Sequence, residues 1–344
     1  MTALVVLPLD ESRLGAWDAF VSARPEASFF HLSGWTEAIV GALGHRCPNL
    51  KAVEQDRVVG ILPLAHLRSR LFGSALISMA FCSYGGPVAV DARAAAALDA
   101  AARHLAQELG VEYLEYRNQV TSGRNWPAQS GLYATFRKRL AGDADALFAQ
   151  IPRKRRAELR KALSSELIVE RTEDLVGFHR LYAWSMHRHG TPAQPLAWFR
   201  ALQRCFGSAC ECTLVRSERR PVSGVLTFRF RDSVLPYYAG ASDAARSLRA
   251  NDLMYWDLMR RTCERGGGAF DFGRSKTGTG AYDYKRSWGF EPEPLHYEYL
   301  LLRGRAVPEV NPLNPKYRLL VSLWKRLPLA LVNRIGPPIA RELG

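Results

Sequence analysis

Apolar positions along the first part of the chain follow two periods, an alternating one typical of strands and one of about 3.6 residues typical of helices. Glycine and proline pairs such as Gly85-Gly86-Pro87 separate these segments. The pattern predicts the order β-α-α-β-β-β-α-β. The elements are a strand at 3–9, a helix at 12–23 capped by Ser12, a helix opened by Ser33 and closed by Gly41 or Gly44, two strands in 50–69 joined at Gln55-Asp56, a strand from 76 to the break at Gly85-Gly86-Pro87, a helix at 92–109 and a strand at 111–118.

The second part of the chain repeats this order without obvious repetition of sequence. Pro152 suits the first turn of a helix, and Asn251 and Gly266 suit the two ends of another. The pattern predicts helices at 152–163, 173–189 and 195–206, three strands in 210–241 with turns at Glu218-Arg219 and Arg231-Asp232, a helix at 250–266 and a strand at 268–275. We therefore expect an α+β protein of two related domains, 1–145 and 146–304, with mostly antiparallel sheets flanked by helices.

Residues 305–344 form a separate tail, which prolines punctuate from Pro308 to Pro338. A helix is predicted from Lys316 to Leu327. At 100° per residue its apolar side chains share one face and its basic side chains the other, the apolar set being Tyr317, Leu320, Leu323, Trp324 and Leu327 and the basic set Arg318, Lys325 and Arg326. Such a helix either packs on the body of the protein or lies on an anionic membrane.

Composition adds a strong positive charge to this picture. The 344 residues include 47 lysines and arginines against 33 acids, a net charge of +14. This charge favours an anionic partner, such as a nucleic acid, a phosphorylated substrate or an acidic lipid surface, although an arginine-rich proteome would also produce it. The six cysteines form no CxxC pair and match no zinc spacing, so we expect a reducing cytoplasm and no metal. The N-terminus resembles a strand rather than a signal peptide, and no spanning helix is predicted.

The most unusual stretch is FDFGRSKTGTGAYDYKRSWGF, residues 270–290. Its glycines resemble a phosphate loop, but Thr279 stands where a Walker A lysine is required, and Asp283 breaks the dinucleotide pattern Gly-x-Gly-x-x-Gly. Neither nucleotide motif is therefore present. What remains is a strand, a glycine loop that lets the backbone approach a ligand closely, and Lys285 at the far end of the loop.

This stretch, within YYAGASDAARSLRANDLMYWDLMRRTCERGGGAFDFGRSKTGTGAYDYKRSWGF, resembles the second domain of the FemAB/FemX-type aminoacyltransferases. It is especially similar to the FemAB-like proteins associated with exosortase/PEP-CTERM gene clusters. The resemblance is most specific over 236–299. Shorter segments extend it over most of the chain, namely FFHLSGW, PRKRRAELRKAL and LYAWSMHRHGTP.

The resemblance implies two tandem GNAT-like (acyl-CoA N-acyltransferase) domains and transfer of an activated group to an amine. Fem enzymes transfer an amino acid from aminoacyl-tRNA to an amine of a peptidoglycan precursor. It further implies a donor that is a co-substrate, either aminoacyl-tRNA or acyl-CoA/acyl carrier protein, and no tightly bound cofactor. The acceptor would be an amine-bearing precursor of the cell envelope or of an exopolysaccharide.

The resemblance also implies roles for particular residues. The family has a lysine in the matching aromatic-Lys-x-x-aromatic-Gly segment, so Lys285 becomes the catalytic candidate, stabilising or placing the acyl carbonyl; the alternative is a surface lysine. Further substrate-binding candidates are Arg188, Tyr238, Arg274, Lys276 and Tyr282. His187 and His189 flank Arg188, and for both a structural role is the simpler interpretation.

Residues 242–252 lie between a strand and a helix, where a helix N-terminus favours the phosphates of a donor. Arg246, Arg249 and Asn251 are the candidates, although the segment lacks the glycines of an acetyl-CoA loop and could be a solvated turn. The basic segment Arg153–Lys161 could contact tRNA or lipid phosphates, or simply be solvated. Some Fem proteins carry a lysine about a turn after the N-terminal tryptophan; here Ile39 and Val40 follow Trp35, so that phosphate clamp is incomplete.

Three functions follow from these residues. The first is a cytoplasmic N-acyltransferase, with peripheral membrane contact through 316–327 as an open question. The second is an acyl-CoA or acyl-carrier-protein dependent N-acyl amino acid synthase. The third is a non-catalytic protein that binds an anionic envelope component. No RNA-module signature is present, and DNA is not expected as a partner.

Overall fold

The computed structural model describes residues 4–10, 14–69, 72–140, 142–266, 268–303, 306–307 and 315–344. The chain divides into two compact units. The first comprises Met1–Leu132, Pro294–Val310 and Arg341–Gly344, and the second comprises Tyr133–Glu293 and Asn311–Ala340. The sequence-based division at residue 145 therefore differs from this one, and so does the assignment of 294–304 to the second domain.

The first unit contains most of the elements predicted for it. Its helices are α1 (Leu14–Ala23), α2 (Ser33–Leu43) and α3 (Ala92–Glu108), and its strands are β1 (Val5–Pro8), β2 (Leu50–Glu54), β3 (Arg57–Leu62), β4 (Ala65–Ser69), β5 (Gly73–Ser78), β6 (Val88–Ala89) and β7 (Tyr113–Asn118). Ser12 lies outside the described residues. Of the two glycines proposed to end α2 it is Gly44, in the left-handed region at φ 72°, that does so.

The strands of the first unit form antiparallel pairs except where β5 runs parallel to β7. A late strand, β15 (Pro292–Leu301), adds to β7 in antiparallel register, with His296 opposite Asn118. This pairing explains why 294–304 belongs with the first unit, since strands distant in sequence pair through their backbones and leave no local pattern. Helix α3 covers a sheet with residues four apart, burying Ala94, Leu98, Ala102 and Ala106.

The second unit begins within β8 (Ala128–Arg139), a strand that the apolar pattern did not predict. Its remaining elements are α4 (Ala144–Gln150), α5 (Arg153–Leu163), β9 (Ile168–Thr172), α6 (Leu175–His189), α7 (Leu196–Phe206), β10 (Cys210–Ser217), β11 (Arg220–Phe230), β12 (Ser233–Ala241), α8 (Ala244–Leu248), α9 (Ala250–Glu264), β13 (Ala269–Asp271), β14 (Ser275–Lys276), α10 (Gly280–Arg286), α11 (Pro315–Arg326) and α12 (Leu329–Ala340).

The sheet of the second unit runs in the order β8, β13, β12, β11, β10, β9, and every neighbouring pair is antiparallel except β12 with β13. Turns occur where they were predicted: Glu218 and Arg219 both have positive φ, and so has Arg231. Helix α9 packs its apolar side chains into a core with Phe136, Phe270 and Trp288. The mixed α+β class with mainly antiparallel sheets is thus confirmed.

Candidate active site in the second unit

The parallel strands β12 and β13 pair only at their amino ends. Ser233 lies opposite Ala269 and Val234 opposite Phe270, and the pairing stops there. Three residues further along β12, the register with β11 shifts at Tyr237, which has no opposite residue in that ladder. Beyond Val234, the edge of β12 that faces β13 has no strand partner among the described residues. The carboxyl ends of the two strands therefore border an opening in the sheet.

The glycine-rich loop follows β13 at this opening. Gly273 adopts a left-handed conformation at φ 66°, which a side chain would disfavour, and its amide donates to the Asp271 carboxylate at 2.7 Å. The loop ends at Thr279, whose hydroxyl accepts from the amide of Tyr282 and so caps α10. The sequence pattern predicted a glycine loop with Lys285 at its far end, and in the structure a short capped helix, α10, follows the loop and carries Lys285.

Lys285 turns back from α10 toward the loop. Its Nζ donates to the carbonyl oxygens of Gly273, at 2.9 Å, and Arg274, at 3.0 Å, and lies 5.5 Å from the centre of the Phe136 ring. Burial lowers the pKa of Lys285 to about 7; the Asp271 carboxylate opposes this shift and the Arg274 guanidinium adds to it.

An ammonium group has three N–H donors, and the two carbonyls use two of them. Among the described residues, no protein acceptor takes the third. Lys285 is therefore a half-buried cation at the carboxyl end of β13 with one hydrogen-bond donor left for a ligand.

Three of the predicted substrate-binding residues lie around this lysine. The Arg274 guanidinium stacks on the ring of Tyr133 at 4.5 Å, and Lys276 pairs with Tyr133 in the ladder between β14 and β8. Tyr282 packs edge-on against Phe136 with ring centres 5.1 Å apart. Two aromatic side chains of β8 thus carry this group, and sequence reasoning missed both because β8 itself was not predicted.

The three predicted donor-phosphate residues line one cavity of about 740 Å³ at the start of α9. Arg249, in the left-handed region at φ 57°, ends α8 and caps α9. The expectation that Asn251 is the N-cap is therefore wrong: Asn251 lies inside the first turn and its Oδ1 accepts from the Ser223 hydroxyl at 2.5 Å. The full lining is Arg155, Glu158, His189, Ala245, Arg246, Arg249, Asn251, Asp252, Gly280 and Tyr284.

The charges around this cavity are partly paired. Arg249 forms an ion pair with Glu158, which Lys161 also contacts at 2.9 Å. Arg246 is exposed and forms no ion pair with a described carboxylate. Because three arginines face two carboxylates, the cavity keeps a positive excess suited to phosphate.

Arg155 also lines the cavity, although sequence reasoning considered it only as part of the basic segment Arg153–Lys161. Its guanidinium donates to the Asp252 carboxylate at 2.8 Å and stacks over the Tyr284 ring at 4.8 Å, and the Tyr284 hydroxyl also donates to Asp252, at 2.7 Å. This network joins α5, α9 and α10. Its signal in the sequence was helical spacing, since Arg155, Leu159 and Ala162 share the inward face of α5.

Two other candidates lie outside both groups. Arg188 forms an exposed ion pair with Asp243. The Tyr238 hydroxyl accepts from Trp198 Nε1 at 3.0 Å, and its ring packs edge-on against Tyr182 and Phe199. Tyr238 is thus a half-buried member of an aromatic cluster.

The neighbouring histidines have structural contacts. His187 Nε2 lies 3.1 Å from the carbonyl oxygen of Leu327. His189 lines the α9 cavity, where burial lowers its pKa and the nearby Arg188 and Lys325 lower it further.

No group of three or more histidine, cysteine or acidic side chains within the described part of the chain could hold a metal ion. No described helix is long and apolar enough to cross a membrane.

Residues 146–286, which lie within the second unit, match the family model for an acetyltransferase (GNAT) domain. A comparison with curated protein sequences found no match.

Solved structures extend this likeness to nearly the whole chain. The crystal structure of FemX is 15% identical, with a TM-score of 0.69, over 92% of this chain and 100% of FemX. A tandem GNAT protein from the clavulanic acid pathway is 15% identical, with a TM-score of 0.53, over 89% of this chain and all of that one. The structure of L-PGS from Bacillus licheniformis is 12% identical, with a TM-score of 0.54, over 95% of this chain and 96% of that one. The fold is thus the FemX-like tandem GNAT fold that the sequence resemblance implied.

Proposed function

We propose that this protein is an N-acyltransferase that moves an acyl or aminoacyl group from an activated donor to an amine of an envelope or exopolysaccharide precursor. The observation that carries the proposal is Lys285, whose third N–H donor is left over at the carboxyl end of β13. A cation fixed by two carbonyls beside an opening in the sheet is suited to a developing negative charge.

In the proposed reaction the acceptor nitrogen attacks the donor carbonyl carbon and forms the new C–N bond. The nitrogen loses a proton, and the C–O bond of an ester donor or the C–S bond of a thioester donor breaks. The leaving oxygen or sulfur takes up a proton. The carbonyl oxygen carries negative charge in the tetrahedral intermediate, and the free N–H of Lys285 donates to it. Because the carbonyls of Gly273 and Arg274 already hold Nζ in place, little reorganisation is needed.

The phosphates of the donor would occupy the α9 cavity, near Arg246 and Arg249. The start of helix α3 in the first unit is less suited to phosphate. There the Asp91 carboxylate caps α3 and accepts from the amide of Ala94 at 2.7 Å, so a negative charge already occupies the helix start. Aminoacyl-tRNA, acyl-CoA and acyl carrier protein all carry a phosphate that this cavity could bind.

The acceptor is the less defined substrate. The lysine that some Fem proteins carry after the tryptophan is replaced by Ile39, which is buried, and Val40, which is exposed. This replacement favours an acceptor other than a UDP-linked peptidoglycan precursor, and an exosortase-linked envelope or exopolysaccharide role fits it. A cytoplasmic protein serving a lipid-carried acceptor would work at the inner face of a membrane, and that part of the hypothesis depends on the helices of residues 316–340.

The test is incubation with charged tRNA, and separately with labelled acyl-CoA, together with a panel of amine acceptors, followed by mass spectrometry of the acceptors. We expect one donor to be consumed and Lys285→Met to abolish transfer. Lys138→Met, which removes another half-buried lysine of the same unit, should retain it. If neither donor reacts while the protein still binds polyanions, the non-catalytic alternative holds and the proposal fails.

A further inference from the structure

The helices α11 and α12 each have one face fixed against the second unit. A methyl group added at Gly336 of α12 would lie 3.4 Å from the Trp324 ring of α11 and 3.6 Å from Pro192. Val321 approaches Gly190 closely enough that a methyl group there would lie 2.5 Å from its side chain. On α12 the buried positions recur every four residues, at Val332, Gly336 and Ala340. The rotation of both helices about their own axes is therefore set by packing.

Outside these contacts, both helices expose large aliphatic side chains to solvent. Leu319, Leu320 and Leu323 of α11 are 70%, 60% and 50% exposed, and Leu331 and Ile335 of α12 are 43% and 37% exposed. The sequence pattern placed Leu320 and Leu323 on one face with Trp324, but only Trp324 packs inward. Isolated exposed leucines are common on protein surfaces, whereas five large aliphatic side chains within seventeen residues are not. We call these five residues the leucine surface.

Basic side chains border the leucine surface. Arg326 follows Leu319 by two helical turns, and Arg334 precedes Ile335; both arginines are exposed. The sequence from 315 to 341 contains no acid at all, and the acid that follows, Glu342, accepts a hydrogen bond from the Ser69 hydroxyl at 2.7 Å. An apolar stripe bordered by arginines whose stems can lie along it is the arrangement of a helix in a membrane interface.

We propose that the leucine surface, with Arg326 and Arg334, docks on the surface of a phospholipid bilayer that contains anionic lipid. A second copy of the chain is the competing occupant for an apolar face. Two like surfaces would bring their arginines together without any carboxylate from 315 to 341 to pair with them, so charge favours the lipid. This inference does not depend on the transfer reaction.

The test is co-sedimentation of the full-length protein with vesicles of phosphatidylcholine, with and without phosphatidylglycerol. We expect binding that requires the anionic lipid and weakens with salt. Leu320→Glu combined with Leu323→Glu should lower the partition coefficient at least about tenfold, since it places charge in the apolar stripe. Each of Arg326→Gln and Arg334→Gln should lower it about fivefold.

Leu163→Glu is the matched control, because Leu163 on α5 is 49% exposed and lies outside the leucine surface. It should bind vesicles like the wild type, and equal melting temperatures would show that all variants are folded. Loss of binding in Leu163→Glu to the same extent, or no binding of the wild type to anionic vesicles, would overturn the proposal. So would sedimentation velocity showing a dimer that Leu323→Glu dissociates while vesicle binding is absent.

Discussion

Replacing Lys285 with methionine should change how the stability of the protein depends on pH. The ordinary pKa of a lysine is about 10.5, and burial lowers that of Lys285 to about 7. Between these two values the unfolded chain binds a proton that the folded chain does not, so the stability of the wild type rises with pH over this range. Methionine does not titrate, so the variant lacks this dependence.

The lowered pKa sets the size of the effect. A difference of about 3.5 pKa units corresponds to about 5 kcal/mol, which is an upper limit because the side chain keeps some contact with solvent. Methionine also leaves the carbonyls of Gly273 and Arg274 without their donor, at a cost of about 1–3 kcal/mol each that does not vary with pH. The diagnostic quantity is therefore the slope of the stability difference against pH, not its offset.

The assay is urea unfolding of wild type and Lys285→Met from about pH 6 to about pH 10. Over most of this range residue 285 of the wild type is protonated in the unfolded chain but not in the folded chain. We expect the free energy of unfolding of the wild type, relative to the variant, to rise by several kcal/mol across this range. Lys154→Met, which removes an exposed lysine of the same unit, should give a flat difference. A flat difference for Lys285→Met as well would mean that Lys285 is not held as a desolvated cation.

Other consequences of the site can be tested independently. If Lys285 acts as a cation, kcat should fall as pH rises through about 7, where it loses its charge, whereas a rise in kcat there would indicate a general base. Arg249→Ala should raise KM for the donor with little change in kcat, and equal losses in both would contradict a donor-phosphate role. Arg155→Ala should lower the free energy of unfolding by about 3 kcal/mol, because it leaves the buried Asp252 carboxylate without its cationic partner; a change below about 1 kcal/mol in urea unfolding would refute this. Gly240→Ala should destabilise the protein by about 3 kcal/mol, because the added methyl group would lie 2.3 Å from the Tyr182 backbone. Gly280→Ala should change the stability by less than about 1 kcal/mol, because no atom lies within 4 Å of the added methyl group, and thermal melts would show whether this order holds.

Local patterns predicted the elements whose determinants are local. The turn at Gln55-Asp56 and the turn at Glu218-Arg219 have the positive φ that tight hairpins need, and both were placed from turn-forming residues alone. Gly44 and Gly266 end helices for the same kind of reason. These features depend on a few neighbouring residues, so the sequence contains all the information that fixes them.

Elements fixed by distant pairing were missed. The strands β8 and β15 gain their identity from partners far along the chain, as when Ala269 pairs with Arg139 and His296 with Asn118. The helix α12 was hidden by Pro337 and Pro338, which lie in its final turn. Lys285 was found through a family resemblance, but its two carbonyl partners follow from the left-handed Gly273 and the capped α10, which no residue pattern revealed.

The glycines that first resemble a nucleotide loop have an opposite electrostatic role here. A phosphate loop presents backbone N–H groups to an anion. In this loop the conformation of Gly273 directs its amide to Asp271, and the carbonyls of Gly273 and Arg274 point to the ammonium of Lys285. The loop therefore binds a cation of the protein itself and holds it beside the opening in the sheet. A negative charge beside this loop would therefore be stabilised by the Lys285 ammonium, not by the loop backbone. For this reason the titration of Lys285 tests the whole proposed site.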